Sequence, residues 1–313
     1  MRVLVSRRLT PKVEAALAAY DTRFRSTDAP MSPDECRAAL AEHDAVVPTL
    51  GDAFAAAAFA GPTRARLLAN FGVGYNHIDV AAARRAGVAV SNTPGAVTEA
   101  TADIAMTLLL MSARRAGEGE RLVRAGLWQG WQPTQLLGQH VSGKSLGIVG
   151  MGRIGRAVAR RAHFGFGMQV RFFNRAPLPE PGLPARQVAT LAEAMAADFV
   201  VLAVPGGAAT QHLIDAAALA AMPAHGHLVN IARGDVIDEA ALIAALETGQ
   251  IAGAGLDVYE HEPTVPARLS ALENVTLLPH LGTAAEEVRD AMGMMVVANL
   301  AAFAAGQPLP NPV

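Results

Sequence analysis

The chain has 313 residues, 51% of them hydrophobic and 17% charged, so it carries more apolar material than one core organises, and its composition excludes intrinsic disorder. Its formal net charge of −2, with both signs interspersed, supplies no basic face for nucleic acid and leaves small molecules as the expected partners. No uncharged apolar run reaches the roughly eighteen residues of a membrane span, and the opening stretch Val3–Val5 is too short for a signal-peptide core. No membrane is therefore expected, and a cytoplasmic protein is. The lone Cys36 excludes an internal disulfide and reads as a buried or incidental thiol.

Short apolar runs alternate with helical periodicity along the whole chain, the pattern of βαβ units. Strands are expected near Val3–Ser6, Asp44–Val47, Leu67–Phe71 and Val88–Ser91, with helices beginning near Pro11, Asp52 and Asp79. After the turn Thr93-Pro94-Gly95, one long helix is expected from Thr98 to about Arg115. A second series supplies six strands, Leu146–Val149, Val170–Phe173, Phe199–Val204, Leu228–Ile231, Gly253–Asp257 and Val275–Leu278. A last helix is expected over Thr283–Ala304, ended by the proline-rich tail and returning to the first unit. The fold class is α/β, with two Rossmann-like or flavodoxin-like parallel-sheet domains and an expected cleft between them. The expected domains are 1–96 with 284–313, for substrate, and 97–283, for a dinucleotide.

The segment Gly150-Met151-Gly152-Arg153-Ile154-Gly155 sets a G-x-G-x-x-G pattern between a strand and a helix. Gly150 permits the tight turn, Gly152 lets the backbone approach a pyrophosphate, Gly155 lets helix pack on strand, and the anion sits at the helix N-terminus beside Arg153 and Ile154. About twenty residues on, where an acid would hold a free ribose 2′-hydroxyl, stand Asn174 and Arg175. A neutral side chain followed by a cation favours the 2′-phosphate of NADP, with NAD as the alternative or second cofactor.

Three later segments each place a reactive side chain beyond a strand: Asn230-Ile231-Ala232-Arg233-Gly234, Gly255-Leu256-Asp257 through Glu262-Pro263, and Pro279-His280-Leu281-Gly282. Reduction of a 2-keto acid needs a fixed cation, a proton donor and a delivered hydride. Arg233 suits the first role, because guanidinium is always charged and rigidly forked. His280 suits the second near neutral pH, and Glu262 would fix its tautomer. Taken singly, each residue also fits an ordinary structural role, as an ion pair, surface acid or buried histidine. Glu260, His261, His225 and His227 read as structural or solvated. No H-E-x-x-H or cysteine pair indicates a metal, and no G-x-S-x-G elbow indicates a serine hydrolase.

With the glycine loop and these segments in this order, the chain resembles the D-isomer-specific 2-hydroxyacid dehydrogenase family, particularly its glyoxylate and hydroxypyruvate reductase branch. Arg233 and Glu262 are 29 residues apart, and Glu262 and His280 are 18 apart, as in the family's pattern. The resemblance implies that Arg233, Glu262 and His280 are catalytic, and that Gly72, Val73 and Gly74 hold the substrate carboxylate through backbone amides, with Arg233 and His280 also on the substrate. It places Thr101, Val204, Pro205, Ile231, Ala232, Asp257 and Gly282 in the nicotinamide pocket, with Asp257 against the carboxamide. It further implies a homodimer through the region around 97–135, whose arm carries Trp128 and Trp131. The expected reaction is NAD(P)H-dependent reduction of glyoxylate or hydroxypyruvate. Alternatives are a D-lactate or phosphoglycerate type of the same family, or a cofactor-sensing corepressor of the same fold. The missing regulatory extension weighs against the longer phosphoglycerate form, and the intact trio against formate chemistry.

Overall fold

A computed structural model describes residues 1–313, which divide into two compact units, Met1–Val97 with Thr283–Val313, and Thr98–Gly282. The first unit contains β1 (Arg2–Val5), α1 (Pro11–Leu17), β2 (Asp21–Phe24), α2 (Pro33–Glu42), β3 (Ala45–Val47), β4 (Leu67–Ala69), α3 (Val80–Arg85) and β5 (Ala89–Ser91). All five strands are parallel, in the order β2-β1-β3-β4-β5. The central strands β3 and β4 are buried on both faces, which is why they read as unbroken apolar runs.

Three elements of this unit differ from the sequence expectation. No α-helix starts at Asp52, and only a 3-10 turn forms at Ala56–Phe59. The Asp52 carboxylate is instead buried and accepts the amides of Met31 and Thr49, so it ties two loops together and caps nothing. The helix α2 and the strand β2 also lie outside the expected list. Helix α2 has charged residues at Asp34, Glu35, Arg37 and Glu42 and carries a capping box, in which Ser32 accepts the Glu35 amide and Glu35 accepts the Ser32 amide, with Pro33 in the first turn.

The second unit contains α4 (Thr98–Ala113), α5 (Ala116–Arg124), β6 (Ser145–Val149), α6 (Arg153–Arg160), β7 (Gln169–Phe173), β8 (Ala185–Gln187), α7 (Leu191–Met195), β9 (Phe199–Leu202), α8 (Ala216–Ala220), β10 (His227–Asn230), α9 (Glu239–Glu247), β11 (Gly253–Leu256), α10 (Ala267–Ser270) and β12 (Val275–Leu277). Its parallel sheet runs β12-β11-β10-β9-β6-β7-β8, seven strands where six were expected. The added β8 is short and polar, so it lacks the apolar run that marks the others. The expected long helix is α4, ending at Ala113 close to Arg115, whose φ of 53° separates it from α5, a helix outside the expected list. Helices cover both faces, each over its own apolar core, and α4 comes so close to β11 that a Cβ on Gly255 would lie 2.9 Å from Leu108 Cβ. The strand order reverses between β6 and β9, which is where such sheets open a crevice at their carboxyl ends.

The last helix, α11 (Glu286–Ala304), starts three residues later than expected and packs on α1 and β4 of the first unit. Gly293 permits that approach, since a Cβ there would lie 2.2 Å from Val13 Cγ2. Beyond it the tail lies along β5, with Val313 N–H donating to Val90 O and Asn92 N–H to Asn311 O.

At the other end of the larger sheet, Asp198 accepts the Ser145 amide at 2.8 Å, the Ser145 hydroxyl at 2.6 Å and His225 Nε2 at 2.8 Å. Burial alone would raise this carboxyl, but Ser145 and His225 outweigh it and hold it at about 2, below the ordinary 3.8. A depressed carboxylate stabilises the fold above its unfolded pKa and loses that contribution as pH falls through its folded one. Wild type is therefore expected to exceed D198N by a pH-dependent increment of about 2 kcal/mol above pH ~4, shrinking as pH falls toward 2. Urea titrations across that range measure it, and a gap that stays constant with pH would refute the assignment.

Candidate functional site

The glycine loop joins β6 to α6. Gly150 adopts φ 100°, and a Cβ on it would lie 2.8 Å from the Ala203 carbonyl; a Cβ on Gly155 would lie 2.2 Å from Gly150 O. Gly152 is different, with nothing within 4 Å of its would-be Cβ, so its missing side chain keeps open the space before the helix. No side chain caps α6, and the first-turn amides at Gly152, Arg153 and Ile154 lack intrahelical acceptors by geometry. Asn174 sits at the tip of β7, where its Oδ1 accepts the Met151 amide at 2.7 Å and so fixes the loop. Arg175 is exposed and makes no ion pair, and Gln187 braces the turn that follows by donating to Ala176 O and accepting from Leu178 N–H.

Arg233, Glu262 and His280 stand beyond the carboxyl ends of β10, β11 and β12. His280 Nδ1 lies 2.8 Å from Glu262 Oε2, while Glu262 Oε1 accepts the Tyr259 amide at 3.1 Å. Burial would raise the Glu262 carboxyl, but His280, the Tyr259 amide and the Arg233 charge bring it below its usual range. Arg233 makes no ion pair; its Nη1 donates to Ala232 O, and burial lowers its proton affinity against the charges of Glu262 and Asp235. The guanidinium fork is left largely unsatisfied by protein acceptors.

Each arm is braced from behind. Asn230, buried, donates to Arg233 O at 2.8 Å and accepts the Ala232 amide at 3.0 Å, which turns the chain at the strand tip. Gly234 then packs directly on the next loop, where a Cβ would lie 1.8 Å from the Tyr259 carbonyl carbon. His280 adopts φ 57°, the left-handed region that a side chain disfavours. It is held there because Asp257 O accepts the His280 amide at 3.0 Å and the Asp257 carboxylate accepts those of Leu281 and Gly282 at 2.6 and 2.8 Å. Thr101, from α4, donates its hydroxyl to Gly282 O at 3.0 Å. Ile231 and Ala232 are buried beside Arg233, and Val204 and Pro205 follow β9, with Pro205 O accepting the Thr210 hydroxyl.

The neighbouring residues read as structural have partners of their own: Glu260 meets His212 Nε2 at 2.7 Å, and His227, stacked on Phe199, meets the Ser112 hydroxyl at 2.8 Å. Burial pulls the His227 imidazole down to about 4, so it is a neutral core group.

In the first unit, Gly72, Val73 and Gly74 form a turn beyond β4. Buried Asn70 donates to both Gly72 O and Gly74 O, and Asn92 donates to Val73 O, so the three carbonyls are all occupied. The amides of Val73 and Gly74 donate to no protein group. Two adjacent N–H groups without protein acceptors are the kind of donors an anion can use.

The chain matches the family model described as "D-isomer specific 2-hydroxyacid dehydrogenase, NAD binding domain" over residues 106–282. It is 46% identical over 276 residues to the glyoxylate reductase of Thermococcus kodakarensis, covering 86% of this chain and 82% of that one. The chain belongs to the D-isomer-specific 2-hydroxyacid dehydrogenase family. A glyoxylate reductase of Korarchaeum cryptofilum is 42% identical over 318 residues, covering 99% of this chain and 95% of its own. The crystal structure of an NADPH-dependent glyoxylate/hydroxypyruvate reductase from Sinorhizobium meliloti, with NADP and malonate, aligns with TM-score 0.86 at 36% identity, covering 100% of this chain and 96% of that one.

This dehydrogenase is accordingly an NAD(P)-dependent oxidoreductase, and the open space at Gly152 with the uncapped α6 amides fits a dinucleotide diphosphate. Sequence reasoning did not single out Asn70, Asn92 and Asn230, whose only signal is an asparagine within a residue or so of a strand end. Gly234 offers a direct test of the bracing. G234A is expected to push the Tyr259–Glu262 loop off its seat and lower turnover by roughly ten- to hundredfold, with nucleotide binding retained. Steady-state kinetics beside a nucleotide titration check this, and full activity would show that the contact is dispensable.

Proposed function

We propose that this dehydrogenase reduces glyoxylate and hydroxypyruvate to the corresponding 2-hydroxy acids, with the D configuration where a stereocentre forms. The observation that carries the reading is the 2.8 Å contact of His280 with Glu262 beside an Arg233 guanidinium that has no carboxylate partner. A reduced nicotinamide supplies the hydride to the keto carbon when it is bound. Arg233 binds the substrate carboxylate and polarises the carbonyl through its fork. With Nδ1 on Glu262, His280 carries its transferable proton on Nε2 and gives it to the carbonyl oxygen as charge develops there; Glu262 fixes the tautomer. In the reverse direction, the same nitrogen takes the proton back. Gly72, Val73 and Gly74 contribute carboxylate-binding amides.

The cofactor residues of the proposal are Gly150, Gly152, Arg153, Ile154 and Gly155 for the diphosphate, Asn174 and Arg175 at the ribose, and Thr101, Val204, Pro205, Ile231, Ala232, Asp257 and Gly282 around the nicotinamide. NADP is the favoured cofactor because Arg175 is unpaired and no carboxylate follows β7 directly; NAD is the alternative. H280A is expected to lower kcat by about a hundred- to ten-thousandfold, and R233A to damage both kcat and KM. A panel of keto acids crossed with NADPH and NADH measures this, and normal turnover by either variant would remove that residue from the mechanism.

The protein is further proposed to form a homodimer through the region around 97–135. Here Val123, Leu127, Trp128 and Trp131 expose large apolar side chains, Trp131 with 82% of its surface in solvent. Sedimentation of the double variant L127E/W131E is expected to show monomers where the wild type shows dimers. Equal sedimentation of the two would displace the interface from this arm.

A further inference from the structure

Glu262 shares its short loop with a second acid. Two residues earlier, Glu260 is shielded from water, and its amide donates to Glu239 Oε1 at 3.3 Å, at the start of α9. The contact sets two carboxylates close together: burial pushes the Glu239 carboxyl up, and the Glu260 charge adds to it against the Glu260 amide. The Glu260 side chain has one partner, His212, whose Nε2 lies 2.7 Å from Oε1. His212 comes from the loop that follows β9, downstream of Pro205, and its amide donates to Asp235 O at 2.7 Å in the loop that carries Arg233. Only four non-glycine residues have a left-handed backbone, and His212, with φ 47°, is one of them beside His280. Such strain persists only where the surroundings hold it.

Three loops of the second unit therefore meet at this pair, those after β9, β10 and β11. The charged groups facing His212 are all acidic: Glu260 after β11, Asp235 after β10 and Asp238 at the N-cap of α9. The Glu260 hydrogen bond foremost, then these charges, outweigh partial burial and raise the imidazole above its ordinary 6.5. Without a donor from His212, the Glu260 carboxylate would stand beside Glu239 uncompensated, and the loop would move to separate them. Glu262, two residues on, would move with it, off His280 Nδ1. We propose that His212 is a positioning residue for proton transfer: its ion pair with Glu260 holds the Tyr259–Glu262 loop so that Glu262 stays on His280, while His212 itself touches no reacting atom. This rests on the keto-acid reductase reading given above. Because the folded imidazole binds its proton more tightly, the ionic part of the hold is complete below about pH 6.5 and is lost as pH rises through the raised value.

With 42% of its side chain in solvent, His212 can be replaced without emptying a core. H212A is expected to lower kcat for glyoxylate with NADPH by roughly five- to fiftyfold, while NADPH affinity, read by fluorescence titration, changes by less than about twofold. H212Q keeps a neutral donor at every pH. The ratio of wild-type to H212Q kcat is therefore expected to be about two- to fivefold at pH ~6 and to approach one at pH ~9. Taking the ratio cancels ionisations common to the two enzymes, and a purely structural contact would leave it independent of pH. E260A is expected to match H212A, and the double variant H212A/E260A to fall no further than either. A ratio flat with pH, full turnover by H212A, or losses that multiply in the double variant would overturn the inference while leaving the reductase reading intact. Failure of the wild type to reduce either glyoxylate or hydroxypyruvate would overturn both.

Discussion

The buried carboxylate of Asp257 is the interaction on which the placement of the His280 segment depends. It is buried at the tip of β11, and burial pushes its carboxyl up, against the Leu281 and Gly282 amides that work to hold it ionised. Those amides belong to the segment after His280, whose left-handed backbone would otherwise relax by something on the order of 1 kcal/mol. With the segment fixed, Nδ1 of the imidazole is delivered to Glu262 and Nε2 is turned away from it. Remove the anchor, and the histidine keeps its identity but loses its direction.

Parallel sheets supply the rest of the arrangement with little further instruction. Strands β10, β11 and β12 are neighbours in register, so the residues that follow them emerge side by side although they are far apart in the chain. What the sheet does not determine is how each loop folds back. Asn230 turns the first, the absence of a side chain at Gly234 lets it seat against the second, and Asp257 ties the third. The three candidate side chains are thus held by backbone contacts among the loops that follow these strands.

This division explains what was legible in the sequence. The glycine turn could be read because its three glycines stand at fixed spacing between a strand and a helix, and Arg233, Glu262 and His280 could be picked out as candidates because their residue types match a reaction and their spacing matches a family. Buried strands were visible as apolar runs, whereas β2 and β8, short and polar, were not. The helix expected at Asp52 failed because an aspartate before apolar residues looks the same whether it caps a helix or is buried between two loops. The asparagines behind the Gly72–Gly74 turn escaped for a related reason, since their work is done on carbonyl groups that leave no trace in residue identity. For Asp257 the family pattern pointed to a cofactor contact, while both of its oxygens also carry structural bonds that spacing alone cannot reveal.

The distribution of positive charge follows the same logic. Most of the arginines that pair do so on the surface, as Arg8 does with Glu14 and Arg124 with Glu120, and such pairs contribute little to stability because water already satisfies them. Arg233 and Arg289 are the opposite case: each is drawn away from water, and neither is given a carboxylate in contact. A chain selected for stability alone would pair these groups or replace them with apolar side chains, which cores accept readily. For Arg233, beside the imidazole and carboxylate, the carboxylate of the proposed substrate would supply the missing negative charge. Free energy withheld from folding at that guanidinium would then be available for binding the proposed substrate.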